Sequence, residues 1–496
     1  MKNKIKNPFI INTFFIIITN FIVKLLGLIN KITITRLLGT SGMKLYVLSF
    51  PTIMLFISIA GFSLYITISK LVSEAIASKK YSPKKIVSLS IKYSLFLSFA
   101  VLIIYLLILK PLTIYFLKNP DLYFPLLAGA PLIMLVGVSD GLKGYFAGIK
   151  KINIASIGNL IEQLGRISFS IIFLIVMLPR GIIVATTFTI LALSIGELCT
   201  IVFTLIKIKK YPIPAFDNTV GEKKAILDMA ITNTAGRLLG NFTYFLEPIL
   251  YTTILANLGF SVIDIQTKYT IIDAYTIPLV TFISFLPFAI SSAMLPYVSE
   301  ASALNHQKTI EYYIKRSLLF CLVPAIILAI NLFLFANDYM YLIYKTTEGT
   351  LYIKYIIFIF ICYYIHIPIN SILQATGHNK EVFITSSITN ILRLILLVIF
   401  SYVNFIGLDS IIYATTSTVI IGFLISFILL IKYTKLKFNY SKIISLCLIS
   451  IFILFLSILL KYFNFKFYLV LLFNSILFCI LVLKFKIIVF NKKKEN

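Results

Sequence analysis

The sequence contains no tryptophan, and only 13% of its 496 residues are charged. Aspartate and glutamate together number 18, against 45 for lysine and arginine, while 59% of the residues are hydrophobic. A soluble domain normally carries about 25% charged residues. The five cysteines lie within apolar runs and lack metal-ligand spacing, so we expect neither a disulfide framework nor a metal site. These deficits exclude an ordinary soluble enzyme and indicate a membrane protein.

The sequence also lacks the motifs of an energy-consuming or catalytic membrane protein. It contains no GxxxxGK[ST] phosphate loop, so ATP hydrolysis by that route is excluded. We therefore predict a protein that is not an enzyme and has no cofactor, with a coupling ion or the membrane potential as the candidate driving force. An integral-membrane glycosyltransferase or polymerase is an open alternative, but it needs catalytic carboxylates and a large external loop, and the predicted external loops are short.

Long apolar runs recur along the whole chain, and each is long enough to cross the hydrocarbon layer as a helix. The predicted fold class is an all-α polytopic membrane protein with about fourteen transmembrane helices, because helices satisfy their own backbone groups in lipid. No soluble domain fits between the spans. The predicted spans are 8–35, 46–69, 86–109, 122–146, 155–178, 181–206, 225–257, 275–298, 316–340, 351–375, 382–404, 408–431, 442–460 and 467–485.

The second half of the chain repeats segments of the first half in the same order. The matching pairs are NFIVKLLG at 20–27 with NTAGRLLG at 233–240, KLVSEA at 70–75 with PYVSEA at 296–301, and IKYSL at 91–95 with IKRSL at 314–318. Together they indicate a duplicated unit of about 225 residues. Because six spans is an even number, the two halves should be related by a parallel pseudo-twofold axis along the membrane normal, as in many transporters.

This repeat predicts two six-helix lobes followed by an additional helix pair. The expected divisions are an N-lobe at 1–210, a cytoplasmic linker at 211–224, a C-lobe at 225–435, and the helix pair with its basic tail at 436–496. Lysine clusters in the connecting segments place both termini in the cytoplasm by the positive-inside rule. We expect a multi-pass cell-membrane protein whose basic segments contact anionic lipids and not nucleic acid, since no base-recognition motif is present.

Charged residues inside the spans are the main functional candidates, because an ionised group at mid-bilayer costs about 2.5–3.5 kcal/mol on insertion scales. In the repeat, Lys24 aligns with Arg237, and Arg166 aligns with Arg393. A cavity with more cations than acids would suit an anionic ligand such as a diphosphate. The candidate cavity cations are Lys24, Lys31, Arg36, Arg166, Arg237 and Arg393, and the candidate charge partners are Asp140, Glu162, Glu197 and Glu247.

Simpler structural roles are open for some of these residues. Glu162 and Arg166 are four residues apart, so they can form an ion pair within one helix. Arg36 can cap the external end of the first span.

The second span of each half carries a proline at a matching place. These residues are Pro51 and Pro278, with Gly61 and Pro287 further along. Proline removes a backbone hydrogen bond and bends a helix. We therefore predict a bend in each of these spans, either for function or for packing.

Several motifs resemble the stage V sporulation protein B family. They are KLLGLINKITITRLLGTSGMKLYVLSFP at 24–51, SKLVSEA at 69–75, GYFAG at 144–148, IEQLGR at 161–166 and SILQATGHNK at 371–380. That family is the Firmicutes-type branch of the multidrug/oligosaccharidyl-lipid/polysaccharide exporter superfamily, which includes the MurJ lipid II flippases. The resemblance implies two six-helix lobes around a central cavity, with an extra helix pair at the end.

The resemblance also implies a function. The expected activity is translocation of an undecaprenyl-diphosphate-linked sugar, with the peptidoglycan precursor lipid II as the leading candidate, from the inner to the outer leaflet by alternating access. A lipid-linked oligosaccharide would be the substrate, and the cell-wall synthesis machinery is a candidate partner, in sporulation or in vegetative growth. A cation-coupled multidrug exporter of the same superfamily and a flippase for another lipid-linked polysaccharide unit are the alternatives.

In MurJ-type flippases a span-one arginine before an x-x-Gly element lines the cavity. Here Lys24, three residues before Gly27, occupies that place, and Arg36 matches a second arginine of the same helix. The chain departs from Gram-negative MurJ in span two, where Leu55 and Phe56 stand near an expected cavity arginine. Span eight likewise lacks one, which leaves Arg237, Arg166 and Arg393 as candidate substitutes.

Overall fold

The structure, a computed structural model, describes residues 8–216, 221–304, 306–434, 440–463 and 465–485. Throughout these ranges the regular elements are helices, and no strand occurs among them. Ten helices of the described chain are long and apolar enough to cross a membrane, or twelve if each of two bent helix pairs is one span. The all-α polytopic fold class is therefore confirmed, while the number fourteen stays a prediction.

The helices pack into two compact units. The first unit comprises Met1–Thr270 and Leu397–Ile411, and the second comprises Ile271–Leu396 and Ile412–Asn496. The helices of the first unit are α1 (Pro8–Ala60), α2 (Leu64–Ser78), α3 (Pro83–Pro111), α4 (Tyr123–Leu127), α5 (Ala130–Gly148), α6 (Ile152–Met177), α7 (Ile182–Lys210), α8 (Glu222–Asn257) and α9 (Val262–Thr270). Helix α8, the first of the predicted C-lobe, thus belongs to the first unit, and the predicted lobe boundaries and pseudo-twofold axis stay predictions.

The second unit holds the remaining helices, apart from the last residues of α16 and the first of α17. They are α10 (Ile277–Val280), α11 (Phe285–Ala303), α12 (Gln307–Leu334), α13 (Ala336–Tyr344), α14 (Thr350–Ile356), α15 (Phe360–Ala375), α16 (Asn379–Ser401), α17 (Ser410–Thr434), α18 (Tyr440–Tyr462) and α19 (Phe467–Lys484). Helices α18 and α19, the predicted additional pair, pack on each other and on α12, where Asn474 Nδ2 donates to Asn331 Oδ1 at 3.3 Å.

Helix α1 consists of two helical segments that meet at a kink, within the gap predicted between the first two spans. The kink lies at Gly39, whose φ of 62° and ψ of −173° are not helical. Such a conformation is open to glycine and strained for other residues. The chain then leaves the helix at 61–63, where Phe62 and Ser63 both have positive φ. The break falls at Gly61, one of the predicted hinge positions.

The predicted bend positions differ in whether the helix is bent there. Pro51 lies inside α1, which stays helical around it. Pro278 lies in the short helix α10, after a π-helical segment, and the chain bends by 49° between 262–280 and 282–291. Pro287 lies in α11, just beyond that bend. A functional role for these positions stays a prediction.

A buried polar seam in the first unit joins the segment after α3 to α9. Gln266 is 3% exposed; its Nε2 donates to the Leu117 carbonyl at 2.9 Å, and its Oε1 accepts from Asn119 Nδ2 at 2.8 Å. Both ends of the Gln266 amide are therefore satisfied inside the protein.

Replacing Gln266 by leucine is expected to lower the free energy of unfolding by about 1–3 kcal/mol, because the Leu117 carbonyl and the Asn119 amide lose their partner. Denaturant unfolding in mixed micelles measures this loss. The matched control is Thr267→Val, since the exposed Thr267 hydroxyl bonds only to its own helix at Ile263. Equal stability of the two variants would show that the seam contributes nothing.

Candidate functional site

Helices α5, α6 and α7 of the first unit pack against one another and bring five charged side chains together. Lys143 on α5 is only 5% exposed. Its Nζ lies 3.3 Å from Asp140 Oδ1 on the same helix and 3.2 Å from Glu162 Oε2 on α6. The lysine ammonium therefore lies between two carboxylates of different helices.

Two further residues complete this arrangement. Arg166 Nη2 lies 2.7 Å from Glu162 Oε1, so Glu162 bridges the arginine and Lys143. Glu197 on α7 is 5% exposed and interacts electrostatically with Lys143 and Glu162. We call these residues the charge cluster: Asp140, Lys143, Glu162, Arg166 and Glu197. It contains three carboxylates and two cations.

Glycines allow the helices to approach closely enough for the cluster to form. A Cβ atom added at Gly196, next to Glu197, would lie 2.7 Å from the Glu162 carbonyl oxygen. One added at Gly165, next to Arg166, would lie 3.1 Å from Cys199 Sγ. Small residues at such positions let membrane helices pack backbone against backbone. The sequence thus places a glycine beside a charged residue on each of the two helices.

Pairing makes these charges tolerable within the helices. An isolated buried ion costs several kcal/mol, and attraction between close opposite charges offsets much of that cost. A buried salt bridge is therefore weak as a source of stability, while removal of one partner is costly. The Glu162–Arg166 ion pair, which the spacing allowed, occupies the arginine side chain that we considered for an anionic ligand.

Lys143 is not among the candidate charged residues predicted from the sequence. Its position could have indicated a buried ion pair, since Lys143 follows Asp140 by three residues inside the predicted span 122–146. By contrast, Asp140, Glu162 and Glu197 were predicted as charge partners of buried cations, and the structure brings all three to Lys143 and Arg166. The fourth predicted partner, Glu247, is buried on α8.

The other candidate cations lie on several helices. Lys24 and Arg36 are exposed on α1, where Lys31 is half-buried. Arg237 is exposed on α8, which packs against α1. Arg393 is half-buried on α16 in the second unit. The pairing of Lys24 with Arg237 and of Arg166 with Arg393 stays a prediction.

An open cavity of about 700 Å³ lies along α2 in the first unit. Tyr65, Ser69, Lys70, Ser73 and Glu74 line it, with an apolar contribution from Ile66 and Ala147. Tyr65 is also within electrostatic range of Asp140 and Lys143, so the cavity adjoins the charge cluster. Hydroxyl, aromatic and charged groups together suit a sugar or a phosphate. Most of this lining belongs to the SKLVSEA segment, which the sequence marked as a repeat and not as a site.

A closed polar network lies in the second unit. His366 Nε2 is 3.0 Å from both Ser426 Oγ and Asn370 Nδ2, and Ser426 Oγ donates to Asn370 Oδ1 at 2.9 Å. The three side chains thus lie within hydrogen-bond distance of one another between α15 and α17. Among the described residues, no group of three or more His, Cys, Asp or Glu side chains could hold a metal ion.

A family model described as "Polysaccharide biosynthesis protein" matches residues 9–302, more than half of the chain. The chain belongs to this family. A second model, MatE, matches residues 272–399. Membership in the multidrug/oligosaccharidyl-lipid/polysaccharide exporter superfamily, which we inferred from the motifs, is thereby confirmed.

Curated relatives of this chain include two from Bacillus subtilis (strain 168). "Stage V sporulation protein B" is 28% identical over 370 residues, covering 72% of this chain and 71% of that protein. "Sporulation protein YkvU" is 23% identical over 359 residues, covering 70% of this chain and 78% of that protein. The predicted resemblance to the stage V sporulation protein B family is confirmed.

Solved transporter structures share the fold. "Lipid II flippase MurJ, inward closed conformation" matches with a TM-score of 0.68 and 18% identity, covering 94% of this chain and 98% of that one. An inward-facing MATE family multidrug resistance transporter matches with a TM-score of 0.63 and 14% identity, covering 83% and 94%. The prediction of a multi-pass membrane transporter agrees with the two family models, and these solved structures share its helical fold.

Proposed function

We propose that the protein is a flippase that moves an undecaprenyl-diphosphate-linked sugar from the inner to the outer leaflet. The leading substrate is the peptidoglycan precursor lipid II, and alternating access is the proposed mechanism. The open cavity of about 700 Å³ along α2 carries this proposal, because serine, lysine and glutamate side chains contribute to its lining. The fold of a lipid II flippase over 94% of the chain supports it.

The chemistry of the substrate explains why such a cavity is needed. A sugar diphosphate cannot enter hydrocarbon without losing its hydrogen bonds, at a cost of several kcal/mol for each uncompensated polar group. Ser69, Ser73 and Glu74 can replace bonds that the sugar makes to water, and the ring of Tyr65 can pack against its apolar face. The prenyl chain would stay in the bilayer during the transfer.

Lys24 and Arg237 are the proposed ligands of the diphosphate. Both side chains are exposed, and they lie on helices α1 and α8, which pack against each other. Lys70, which lines the cavity, can assist. Basic segments around both chain ends support the placement of both termini in the cytoplasm, where this substrate is made.

Changing Lys24 and Arg237 to alanine is expected to slow flipping by about tenfold to a hundredfold for each cation, because each charge-assisted phosphate contact contributes about 1.5–3 kcal/mol. The measurement is the transfer of a fluorescent prenyl-diphosphate sugar across reconstituted vesicles. Lys92→Ala, which removes an exposed cation from α3, is the matched control and should leave the rate unchanged. Unaltered flipping in the double variant would exclude these two cations as ligands.

A cation-coupled multidrug exporter is the second candidate. The MatE match and the surplus of carboxylates in the charge cluster favour it. It predicts efflux of organic cations that survives loss of Lys24 and Arg237.

A third candidate is a flippase for another lipid-linked polysaccharide unit. The same vesicle assay distinguishes it from a lipid II flippase when only the sugar of the substrate is changed.

A further inference from the structure

The charge cluster does not balance when all five of its groups are ionised. Asp140, Glu162 and Glu197 carry three negative charges, whereas Lys143 and Arg166 carry two positive charges. Lys143 and Arg166 each lie within 3.3 Å of a partner among Asp140 and Glu162. The surplus negative charge of the cluster is therefore that of Glu197.

The surroundings of Glu197 are unfavourable for an ionised carboxylate. The residue is 5% exposed, and its Oε2 has no hydrogen-bond partner among the described residues. An uncompensated charge in such a place costs far more than a neutral carboxyl group. Binding one proton would make the whole cluster neutral and would supply Oε2 or its companion oxygen with a donor hydrogen.

The neighbours of α7 define what else could offset the charge of Glu197. Helix α5 supplies Asp140 and Lys143, with Ser139 beside Glu197, and α6 supplies Glu162 and Arg166. From α1, Tyr46 lies within electrostatic range of Arg166. Helix α4 carries no charged residue, and Arg180 is exposed at the opposite end of α7.

A proton fits this site better than a metal ion. The Lys143 ammonium already occupies the position between Asp140 and Glu162, where a small cation would need its oxygen ligands. In the described parts of the chain, no group of three or more His, Cys, Asp or Glu side chains could hold a metal ion. A proton needs only the one carboxyl group of Glu197.

We propose that Glu197 is a proton-binding site that takes up and releases one proton in each transport cycle. This inference rests on the proposed transport function and adds the driving ion to it. The carboxylate binds H⁺ to become a neutral carboxylic acid while the cluster is closed, and it releases H⁺ when water reaches the cluster. Asp140, with a side chain 25% exposed against 16% for Glu162, is the more accessible of the two carboxylate partners of Lys143.

Infrared difference spectroscopy of the full-length protein in nanodiscs tests the proton site without any substrate. The wild-type protein should show a buried carboxylic-acid C=O band that disappears as the pH rises. Glu197→Gln, which matches the neutral acid in shape, should lose this band and still fold, and Glu197→Asp should shift it. Glu74→Gln, which removes an exposed acid, should keep it. A band that persists unchanged in Glu197→Gln would overturn the proposal.

Transport in vesicles separates this inference from the proposed function. With a fluorescent prenyl-diphosphate sugar, one pH unit of gradient should shift the wild-type distribution of the sugar between the two leaflets by up to about tenfold if one proton is coupled tightly, and Glu197→Gln should not respond. A wild-type protein that shows the titrating band but moves no sugar would contradict the flippase function and retain the proton site. Flipping that responds to sodium and not to pH would overturn the proton site and retain the flippase.

Discussion

Replacing Lys143 by methionine is expected to lower the free energy of unfolding by about 3–5 kcal/mol, the usual cost of removing one partner from a buried ion pair. The lysine is 5% exposed and lies within 3.3 Å of Asp140 and Glu162. Methionine fills a similar volume, so the loss of charge, and not a cavity, produces the effect. Reversible unfolding in mixed detergent micelles provides the measurement.

Two comparisons show whether burial is the cause. The exposed pair of Lys315 and Glu311 has the same 3.2 Å separation, with side chains 40% and 28% exposed, so Lys315→Met should cost only about 0–1 kcal/mol. Adding Glu162→Gln to Lys143→Met should recover part of the lost stability, because it removes one of the stranded carboxylates. Equal losses for the Lys143 and Lys315 variants would contradict a buried charge cluster.

Replacing Gly196 by valine should be the next most damaging change, with an expected loss of about 3 kcal/mol from overpacking. Its Cβ would lie 2.7 Å from the Glu162 carbonyl oxygen, a backbone atom that cannot rotate away. Helices α6 and α7 would have to separate where Glu162, Arg166 and Glu197 meet. The free energy of unfolding and the infrared band of Glu197 should therefore both change in this variant.

Gly158→Ala is the matched control for this effect. A Cβ at Gly158 would meet its nearest neighbour, Thr200 Cγ2, at 3.5 Å, which is ordinary contact. Alanine also favours the helix over glycine by about 0.5–1 kcal/mol. The variant should thus be neutral or slightly more stable, and destabilisation similar to that of Gly196→Val would mean that the close approach of α6 and α7 is not what matters.

The helical content and the membrane class could be predicted from the sequence because hydrophobic length alone determines them. The exact boundaries of the helices could not be predicted. Residues 36–45 were predicted to separate two spans, and the structure narrows this break to a kink at Gly39. A single glycine with positive φ can redirect the chain, and the hydropathy of the surrounding residues does not show where that glycine lies.

The candidate site was predicted only in part. Asp140, Glu162 and Glu197 stood out because acids are rare in apolar spans, but their common partner Lys143 was overlooked beside a basic connecting segment. The convergence of three helices depends on the contacts of Gly165 and Gly196, which a one-dimensional pattern does not contain. The cavity along α2 also depends on packing, since the sequence identified Ser69, Ser73 and Glu74 only as part of the SKLVSEA motif.

Transfer of defined lipids across vesicles that contain the purified protein tests the central claim most directly. We expect rapid movement of a prenyl-diphosphate-linked sugar, slower movement of the monophosphate analogue, and no efflux of organic cations, because the proposed cavity binds a diphosphate headgroup. Vesicles without protein and vesicles with the Lys24/Arg237 double alanine variant give the background. Efflux of organic cations without movement of any prenyl-diphosphate sugar would contradict the account.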